Sequence, residues 1–339
     1  MTRTQGRVTV TDVAAEAGVA IGSVSRALND RPHVSAELRA RVAAAAERLG
    51  WEPHGQARGL RLGRSNVVGL LVNHVGHPMQ GPIISAVERE LSASGRMLLI
   101  ANAVADADRE RALLQAFQRE AVDGVIVTAA FRGRAAADDL YRATRVPLVL
   151  LDHDLADFDR VCLERRDAVR TATRHLLALG HRRIALFTPA LDRVPGGERL
   201  AGHRDAHRQA GVPHDTALVP AFASPLQDGA EAMAALLDGP APPTALIALA
   251  TPLLTGALAA LRRRGRRVPG DCSVIAIGVS DMLELADPPL SCLQLDLDGL
   301  GRHAVRLLLR RLATPGITPE RVELQTPLVV RDSCAAAPR

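Results

Sequence analysis

Apolar and polar positions repeat with helical spacing over the first fifty residues and predict three short helices. The inward stripe of the first helix consists of Val13, Ala14 and Ala17, and that of the second, near residues 21–29, of Val24, Ala27 and Leu28. Thr11 is placed to cap the first helix, and Asp12 suits its positive amino-terminal end. Gly18 should end this helix, because glycine adopts the left-handed conformation at little cost. A third helix should open at Ser35, which can cap it, and run to Gly50.

The outward face of the second predicted helix is small and polar and carries one arginine. Its members are Ile21, Gly22, Ser23, Ser25, Arg26 and Asn29. Such a face fits the major groove of DNA, where a guanidinium can donate two hydrogen bonds to guanine and methyl groups such as those of Ile21 can contact thymine. We therefore predict a DNA-binding helix-turn-helix in which Arg26 contacts base edges. Phosphate contact is the alternative role for Arg26, and a purely structural alanine-rich hairpin is the alternative for the whole pattern.

After Arg64 the pattern changes to short apolar runs that alternate with amphipathic helices. The predicted strands of a first series lie near residues 67–72, 97–101, 124–128 and 147–151. Those of a second series lie near residues 183–187, 218–222, 244–249 and 273–278. Apolar runs that are buried on both faces and separated by helices are typical of parallel strands. The body of the chain is therefore predicted to contain two doubly wound parallel sheets.

Charge and cysteine usage narrow the classes of function. The 339 residues carry a net charge of +5, and residues 1–64 hold ten arginines against six acidic residues, so most of the excess lies on the helical segment. A basic module on a near-neutral body fits phosphate contact at one end of the chain. The four cysteines, Cys162, Cys272, Cys292 and Cys334, form no C-x-x-C pair, so we expect neither a metal site nor a disulfide framework. We find no leader-like start and no long uncharged apolar run, and expect a cytoplasmic, nucleoid-associated protein without cofactor.

Extended motifs link this chain to a known family. The stretch from Val8 to Asn29 fits V-T-x-x-D-V-A-x-x-A-G-V-S-x-x-T-V-S-R-x-L-N, and the stretch from Val34 to Leu60 fits V-S-x-x-x-R-x-R-V-x-x-A-x-x-x-L-G-Y-x-P-N-x-x-A-R-x-L. In the body, residues 174–184, 199–204 and 268–275 fit H-L-I-x-L-G-H-R-R-I, R-x-x-G-Y-R and V-P-x-D-x-S-V-x. Across almost its whole length the chain thus resembles the lactose-repressor (LacI/GalR) family.

The resemblance implies an all-α helix-turn-helix headpiece followed by an α/β, two-lobed, periplasmic-binding-protein-like domain. Its implied boundaries are 1–52 for the headpiece, 53–64 for a hinge helix or linker, 65–331 for the effector-binding and dimerisation domain, and 332–339 for a disordered tail. One lobe would comprise about 65–163 with 292–325, and the other 164–291. The last helix, about 300–312, and a strand near 322–324 would return to the first sheet, and three segments would cross between the lobes.

The resemblance also extends the expected DNA contacts to Thr11, His54, Ala57, Arg58 and Leu60. Leu60 stands where family members insert leucine as a wedge into the minor groove, which bends the duplex. An ordinary linker residue is the alternative. Because one headpiece reads half of a two-fold operator, the resemblance implies a homodimer on pseudo-palindromic DNA, with a tetramer left open. The implied function is a transcriptional regulator, a repressor, controlled by a small molecule.

The implied effector cleft keeps some family anchors and lacks others. Arg199 retains the family's effector-binding arginine, and Asp152 ends a strand that faces the cleft. Aromatic and carboxylate anchors of the family are replaced elsewhere, so the positions predicted to meet an effector are Met79, Gln80, Asp152, Arg199, Thr251 and Gly278. Poorly paired sugar hydroxyls would each cost about 1–3 kcal/mol. We therefore expect a less polar or anionic effector rather than a typical monosaccharide, or a cleft without small-molecule control, and Arg199 pairing only with an acid is the alternative.

Other candidate chemistry is weaker. His203 and His207 lie four residues apart on a predicted helix, but no H-E-x-x-H follows, so we expect surface histidines. The sequence from Asp152 to Asp154 suggests an acid-base cluster, yet it has no nucleophile motif beside it. An enzyme is therefore the weak alternative. A solute-binding protein of transporter type is the stronger rival, but it should have a leader peptide and no headpiece.

Overall fold

The computed structural model describes residues 8–28, 34–51, 65–104, 106–128, 135–189, 191, 194–222, 228–278 and 281–338. The chain divides into two compact units, Met1–Ser65 and Asn66–Arg339. No helix within these described stretches is both long and apolar enough to cross a bilayer. The positions Asn29, His54, Ala57, Arg58 and Leu60 lie outside the described residues.

The first unit contains three helices, α1 (Val10–Ala17), α2 (Ile21–Leu28) and α3 (Ala36–Arg48). Gly18 ends α1 with a φ of 63°, in the left-handed region, as predicted. Thr9, and not Thr11, is the residue that caps α1: its amide and hydroxyl each donate to the Asp12 carboxylate at 2.7 Å. Thr11 lies one residue inside the helix and is exposed. The prediction for Thr11 was wrong by two residues because Thr9 and Asp12 have the three-residue spacing that a reciprocal cap requires.

The core of this unit is made by the predicted stripes. Val13, Val24 and Val42 are fully buried at its centre, and Trp51 packs against its edge. Ser35 caps α3 by accepting a hydrogen bond from the Leu38 amide at 3.2 Å, as predicted. α1 and α3 thus pack against the inward face of α2, and the opposite face of α2 is turned toward solvent.

The first sheet of the second unit has six parallel strands in the order β10-β5-β4-β3-β1-β2. These are β1 (Val67–Val72), β2 (Met97–Asn102), β3 (Gly124–Thr128), β4 (Leu148–Leu151), β5 (Asp159–Leu163) and β10 (Arg321–Leu324). The helices on its two faces are α4 (Gln80–Ala93), α5 (Ala107–Arg119), α6 (Ala135–Arg142) and α12 (Leu297–Ala313). Alternate residues of β1 point to opposite faces, so Leu70 contacts the α4 and α12 side and Leu71 the α5 and α6 side.

The second sheet has five strands in the order β11-β9-β8-β7-β6. These are β6 (Ile184–Phe187), β7 (Ala245–Ala248), β8 (Ser273–Gly278), β9 (Ser291–Gln294) and β11 (Leu328–Val329). All pair in parallel except β11, which runs antiparallel to β9. Its helices are α7 (Arg166–Ala178), α8 (Val194–Gln209), α9 (Ala230–Asp238), α10 (Thr251–Arg263) and the short α11 (Asp281–Glu284).

Three segments cross between the two sheets, as the resemblance implied. They join β5 to α7, β9 to α12 and β10 to β11. The strand β9 belongs to the second sheet up to Gln294, three residues beyond the predicted end of that lobe. Ile277, at the end of β8, packs against the hydrophobic cores of both sheets.

Some predicted elements differ from the structure. Near 218–222 the chain forms a 3₁₀ turn, Thr216–Leu218, and a single bridge between Pro189 and Phe222, in place of a strand. The tail was expected to be disordered, but residues 332–338 lie against the second sheet. The Ser333 hydroxyl donates to the Val274 carbonyl at 2.6 Å, and the Ala337 amide donates to the Leu179 carbonyl at 2.9 Å. These hydrogen bonds join residues far apart in sequence, which hydrophobic periodicity does not report.

The expectation that His203 and His207 are surface residues was also wrong. Their side chains on α8 are buried, with 1% and 2% of the residue surface exposed. The reason is the close packing of α8 on α7: a Cβ added at Gly202 would lie 2.1 Å from the Arg166 carbonyl oxygen. The face of α8 that carries Gly202 and His203 is therefore covered.

Candidate DNA-binding surface and effector site

The predicted outward face of α2 is exposed in part. Ile21 and Arg26 are exposed, as is Gly22, while Ser23 and Ser25 are half-buried. Val24 and Ala27 hold the opposite face of the helix in the three-helix core. The Arg26 Nε group donates to the Gly22 carbonyl one turn earlier at 3.2 Å. The guanidinium therefore lies along the exposed face of the helix.

On the second unit, the candidate effector residues lie at the carboxyl ends of the strands, where ligands of open α/β sheets bind. Asp152 directly follows β4 with a φ of 58°. A left-handed conformation is uncommon for a residue with a Cβ and is found most often where the surrounding structure imposes it. Asp152 is held on both sides: its amide donates to the Val161 carbonyl of β5 at 2.7 Å, and the first crossing segment contacts its carboxylate.

Arg165, in the first crossing segment, joins the two lobes through carboxylates. One of its Nη groups contacts the Asp152 carboxylate and donates to the Asp152 carbonyl at 3.2 Å. The other donates to the Glu198 carboxylate, on α8, at 2.9 Å. The side chains of Arg165 and Asp152 are 7% and 10% exposed, whereas that of Glu198 is 41% exposed. Asp152 therefore lies in a nearly dry contact with a guanidinium.

Arg199 follows Glu198 on α8, but it has a different partner. Its Nη1 group donates to the Thr188 hydroxyl at 3.3 Å, and Thr188 is fully buried at the end of β6. Thr251 is the exposed first residue of α10, and no side chain caps that helix. Gly278 ends β8 with a φ of 144°, a conformation that favours glycine.

The end of β1 and the start of α4 gather polar atoms that have no protein partner. They are the side-chain oxygens of Asn73 and Gln80 and the Nδ1 atom of His74. Gln80 is 6% exposed, and Met79 beside it packs against the core of the first sheet. Buried polar atoms normally find a hydrogen bond, so these three are available to a polar ligand that reaches this end of the strand.

The structure thus brings Asp152 together with Arg165 and Glu198, which the sequence analysis did not single out. Met79 and Gln80 lie side by side at the start of α4, Thr251 begins α10, and Gly278 ends β8. A separate cavity of about 370 Å³ lies at the second and third crossings, lined by Pro82, Gln325, Pro327 and residues 294–298. In the family pattern a smaller polar residue stands at the position of Arg165. That difference was the signal by which the sequence could have pointed to Arg165.

The residues that suggested acid-base chemistry have separate partners. His153 contacts the Asp138 carboxylate at 2.9 Å, whereas Asp154 accepts from Arg160 at 2.5 Å and from Arg321 at 3.0 Å. All four cysteines are free thiols, and burial raises the pKa of Cys162 to about 11 and that of Cys272 to about 12. Such thiols stay protonated at neutral pH and are poor nucleophiles.

Comparison with known proteins identifies both units. Residues 9–54 match the profile of bacterial regulatory proteins of the lacI family, and residues 173–334 match a periplasmic binding protein-like domain. The chain is similar to the HTH-type transcriptional regulator CelR of Thermobifida fusca, with 33% identity over 96% of this chain and 98% of that protein. It is similar to the ribose operon repressor of Escherichia coli K12, with 29% identity over 96% and 99%.

Among solved structures, the chain is similar to the lac repressor dimer bound to operator and the anti-inducer ONPF. The TM-score is 0.86 at 25% identity, with 98% of this chain and 100% of that chain covered. The headpiece with its exposed α2, the two-lobed α/β body and the full-length similarity agree. The chain belongs to the lacI family of bacterial regulatory proteins and is a DNA-binding transcriptional regulator with an effector-binding domain.

Proposed function

We propose that this regulator represses transcription by laying α2 in the major groove of its operator, with Arg26 donating to the O6 and N7 atoms of guanine. The exposure of Ile21, Gly22 and Arg26 above a packed core is the observation that carries the proposal. One bidentate contact of this kind discriminates between bases by about 1–3 kcal/mol. Because Gly22 has no side chain, base preference at its position should depend on groove shape. The expected minor-groove wedge is Leu60.

A homodimer is the proposed binding species. The edge strand β2 exposes Met97, Leu99 and Ile100, with 61%, 38% and 43% of their surfaces accessible. An apolar edge strand on a soluble protein is normally covered, and a second copy would cover it symmetrically. Two copies would also place two headpieces on the half-sites of a pseudo-palindrome, at one set spacing.

The proposed effector is an anionic or less polar small molecule held near Arg199, and not a typical monosaccharide. Arg165 engages the Asp152 carboxylate and so removes an acceptor that sugar hydroxyls would use. Thr251 and Gly278 supply no carboxylate either. Besides its contact with the Thr188 hydroxyl, Arg199 can donate to an anion, because a hydrogen bond between two charged groups is stronger than one to a neutral hydroxyl.

Regulation would follow from the geometry of the cleft. Arg165 and Glu198 join the crossing segment to the first turns of α8, so a ligand at Arg199 would act on the contacts that set the angle between the lobes. A change in that angle would alter operator affinity, and couplings of this kind amount to about 1–3 kcal/mol.

The DNA-binding proposal is tested with Arg26→Ala. Genome-wide mapping of bound sites supplies the cognate operator, and titrations then compare it with a scrambled duplex at several salt concentrations. Arg26→Ala should lose preference for the operator while keeping salt-sensitive nonspecific binding. The matched control is Arg48→Ala, which removes an exposed headpiece arginine that pairs with Glu16 at 3.0 Å and should keep the preference. Unchanged preference in Arg26→Ala would refute the role of that side chain.

The effector proposal is tested by calorimetric titration of glucose, ribose and cellobiose against gluconate and glucose 6-phosphate. We expect heat only from the anions, and its loss in Arg199→Ala. Micromolar binding of any of the neutral sugars that disappears in Arg199→Ala would overturn the proposal. Binding of the anions that persists in Arg199→Ala would remove Arg199 from the site.

A further inference from the structure

Three imidazoles form a cluster near the carboxyl end of α8, away from the first turns of that helix, which carry Glu198 and Arg199. His203 and His207 lie on α8, and His214 lies in the segment after it. The ring centroids are 4.7 Å apart for His203 and His207, 5.1 Å for His203 and His214, and 5.5 Å for His207 and His214. The interplanar angles of 55°, 77° and 89° describe tilted and edge-to-face packing, as in a cluster of neutral aromatic rings.

His203 and His214 of this cluster have ring nitrogens without hydrogen-bond partners. Both ring nitrogens of His203 and the Nε2 atom of His214 are buried without one, whereas His207 lies beside the backbone of Val212 and Pro213. A neutral imidazole tolerates this arrangement at the cost of an unmade hydrogen bond, about 1–3 kcal/mol. An imidazolium does not, because a buried charge requires an opposite charge or several hydrogen bonds.

Metal binding does not explain the cluster. Within the described part of the chain, no group of three or more histidine, cysteine, aspartate or glutamate side chains is arranged to hold a metal ion.

The charges around the cluster disfavour protonation of His203, its most deeply buried ring. Arg204, on α8 itself, acts on both His203 and His214, while Asp215 acts only on His214. Asp215 is itself engaged by Arg183 at 3.0 Å. The packed helix α7 contributes Arg166, which pairs with Asp205 of α8, and Arg170, which pairs with Asp167.

An open pocket of about 560 Å³ lies beside the segment that carries His214, lined by Arg182, Arg183, Asp215 and residues 210–213. Burial lowers the pKa of His207 and of His214, and it holds the pKa of His203 well below the usual histidine range. His214, half-buried and next to Asp215, is the member most accessible to protons. His203 becomes accessible only when the cluster opens.

We propose that His203, His207 and His214 form a proton-sensitive clasp that holds the end of α8 and residues 210–215 against the second lobe while all three rings are neutral. Acidification opens the clasp, since the opened segment binds protons that the closed one excludes. The sign follows from linkage: a histidine whose pKa is lowered by folding stabilises the closed form above its unfolded pKa, near 6.5, and this stability is lost as the pH falls below that value. The first turns of α8 carry Glu198 and Arg199, so opening at one end of this helix loosens the candidate effector site at the other.

Hydrogen exchange of the full-length protein, measured by mass spectrometry from about pH 7.5 to about pH 5.5 and corrected for intrinsic exchange rates, tests the clasp without DNA or effector. In peptides covering 199–215 the opening equilibrium constant should rise by up to tenfold per pH unit for each histidine that gains a proton on opening. Peptides covering β7 and α10 in the same lobe should show no such rise. His203→Phe keeps an aromatic ring and removes one proton, so its dependence on pH should be flatter. His303→Phe, on α12 of the first sheet, is the matched control and should keep the wild-type dependence.

If His203→Phe does not fold, the proposal is tested by NMR titration of isotope-labelled histidine in the wild-type protein. We expect His203 to stay neutral below pH 6.5, where a histidine with the ordinary pKa is mostly protonated. Titration of all three cluster rings near pH 6.5 would overturn the proposal. So would exchange that is independent of pH, or Co²⁺ bound in equal stoichiometry by the wild type and lost in His203→Phe, which would make the cluster a metal site.

Discussion

Replacement of Arg165 by glutamine tests whether the ion pairs at the first crossing hold the two lobes. In the wild type, the guanidinium contacts Asp152 of the first lobe and Glu198 of the second. Arg165→Gln keeps a polar side chain, shorter by two bonds, and removes the cation. Asp152 then remains 90% buried without its ion partner.

The two contacts should differ in strength because they differ in burial. Removing one partner of a buried ion pair typically costs about 3–5 kcal/mol, since the remaining charge stays desolvated. The Glu198 arm is 41% exposed, and pairs at that exposure contribute at most about 1 kcal/mol. We therefore expect Arg165→Gln to lower the free energy of unfolding by about 3 kcal/mol and Glu198→Gln to lower it by less than about 1 kcal/mol.

Urea unfolding of Arg165→Gln, Asp152→Asn and the double variant forms a thermodynamic cycle for the pair. The double variant should be more stable than the sum of the single losses predicts, by about 1–3 kcal/mol, because Asp152→Asn removes the charge that Arg165→Gln leaves behind. Additive losses, or a loss below 1 kcal/mol in Arg165→Gln, would show that the pair does not hold the crossing. Operator titrations of Arg165→Gln with and without the probes used above then report whether the same contact sets DNA affinity.

Three further outcomes are expected. Gly202→Ala should destabilise the second lobe by about 1–3 kcal/mol in thermal unfolding, because its Cβ would lie 2.1 Å from a backbone oxygen of α7 and overpack the contact. Gly22→Ala, where a Cβ meets nothing within 4 Å, is its control and should gain about 0.5–1 kcal/mol from helix propensity, so equal effects would refute the steric argument. Ser35→Ala should lower headpiece stability by about 1 kcal/mol through loss of the α3 cap, read by circular dichroism, and no change would mean that the cap is dispensable. Ile100→Asp should convert the dimer to monomer in analytical ultracentrifugation, and a stable dimer would move the interface away from β2.

The elements that could be predicted from the sequence are those whose causes are local. The end of α1 at Gly18 follows from the backbone freedom of glycine, and the buried faces of α1 and α2 follow from helical spacing. Unbroken apolar runs predict β1, β3 and β4. The strand β5 was not predicted, because it begins with Asp159, a fully buried carboxylate. That charge is tolerated because Arg310 and Arg311 reach it from α12, about 150 residues later.

The candidate sites divide in the same way. Arg26 and Asp152 could be placed because each stands at a fixed point of one element, an exposed helix face or a strand end. Arg165 could not, because its role depends on two carboxylates that come from different lobes. The histidine cluster was misjudged because His203 and His207 are polar at helical spacing, and only the close approach at Gly202 covers that face.

The placement of the last strands has a consequence for synthesis on the ribosome. His181, after α7, shares its Nε2 atom with the Ser273 hydroxyl at 3.0 Å and with the Ala335 carbonyl at 3.1 Å, 154 residues further on. In the first sheet, β5 likewise gains β10 as its neighbour only when residues 321–324 have been synthesised. Both lobes therefore emerge with unpaired strand edges and are completed only when residues 321–335 have left the exit tunnel. Nascent chains of this protein should be prone to aggregation until then, and should depend on chaperones more than the headpiece does.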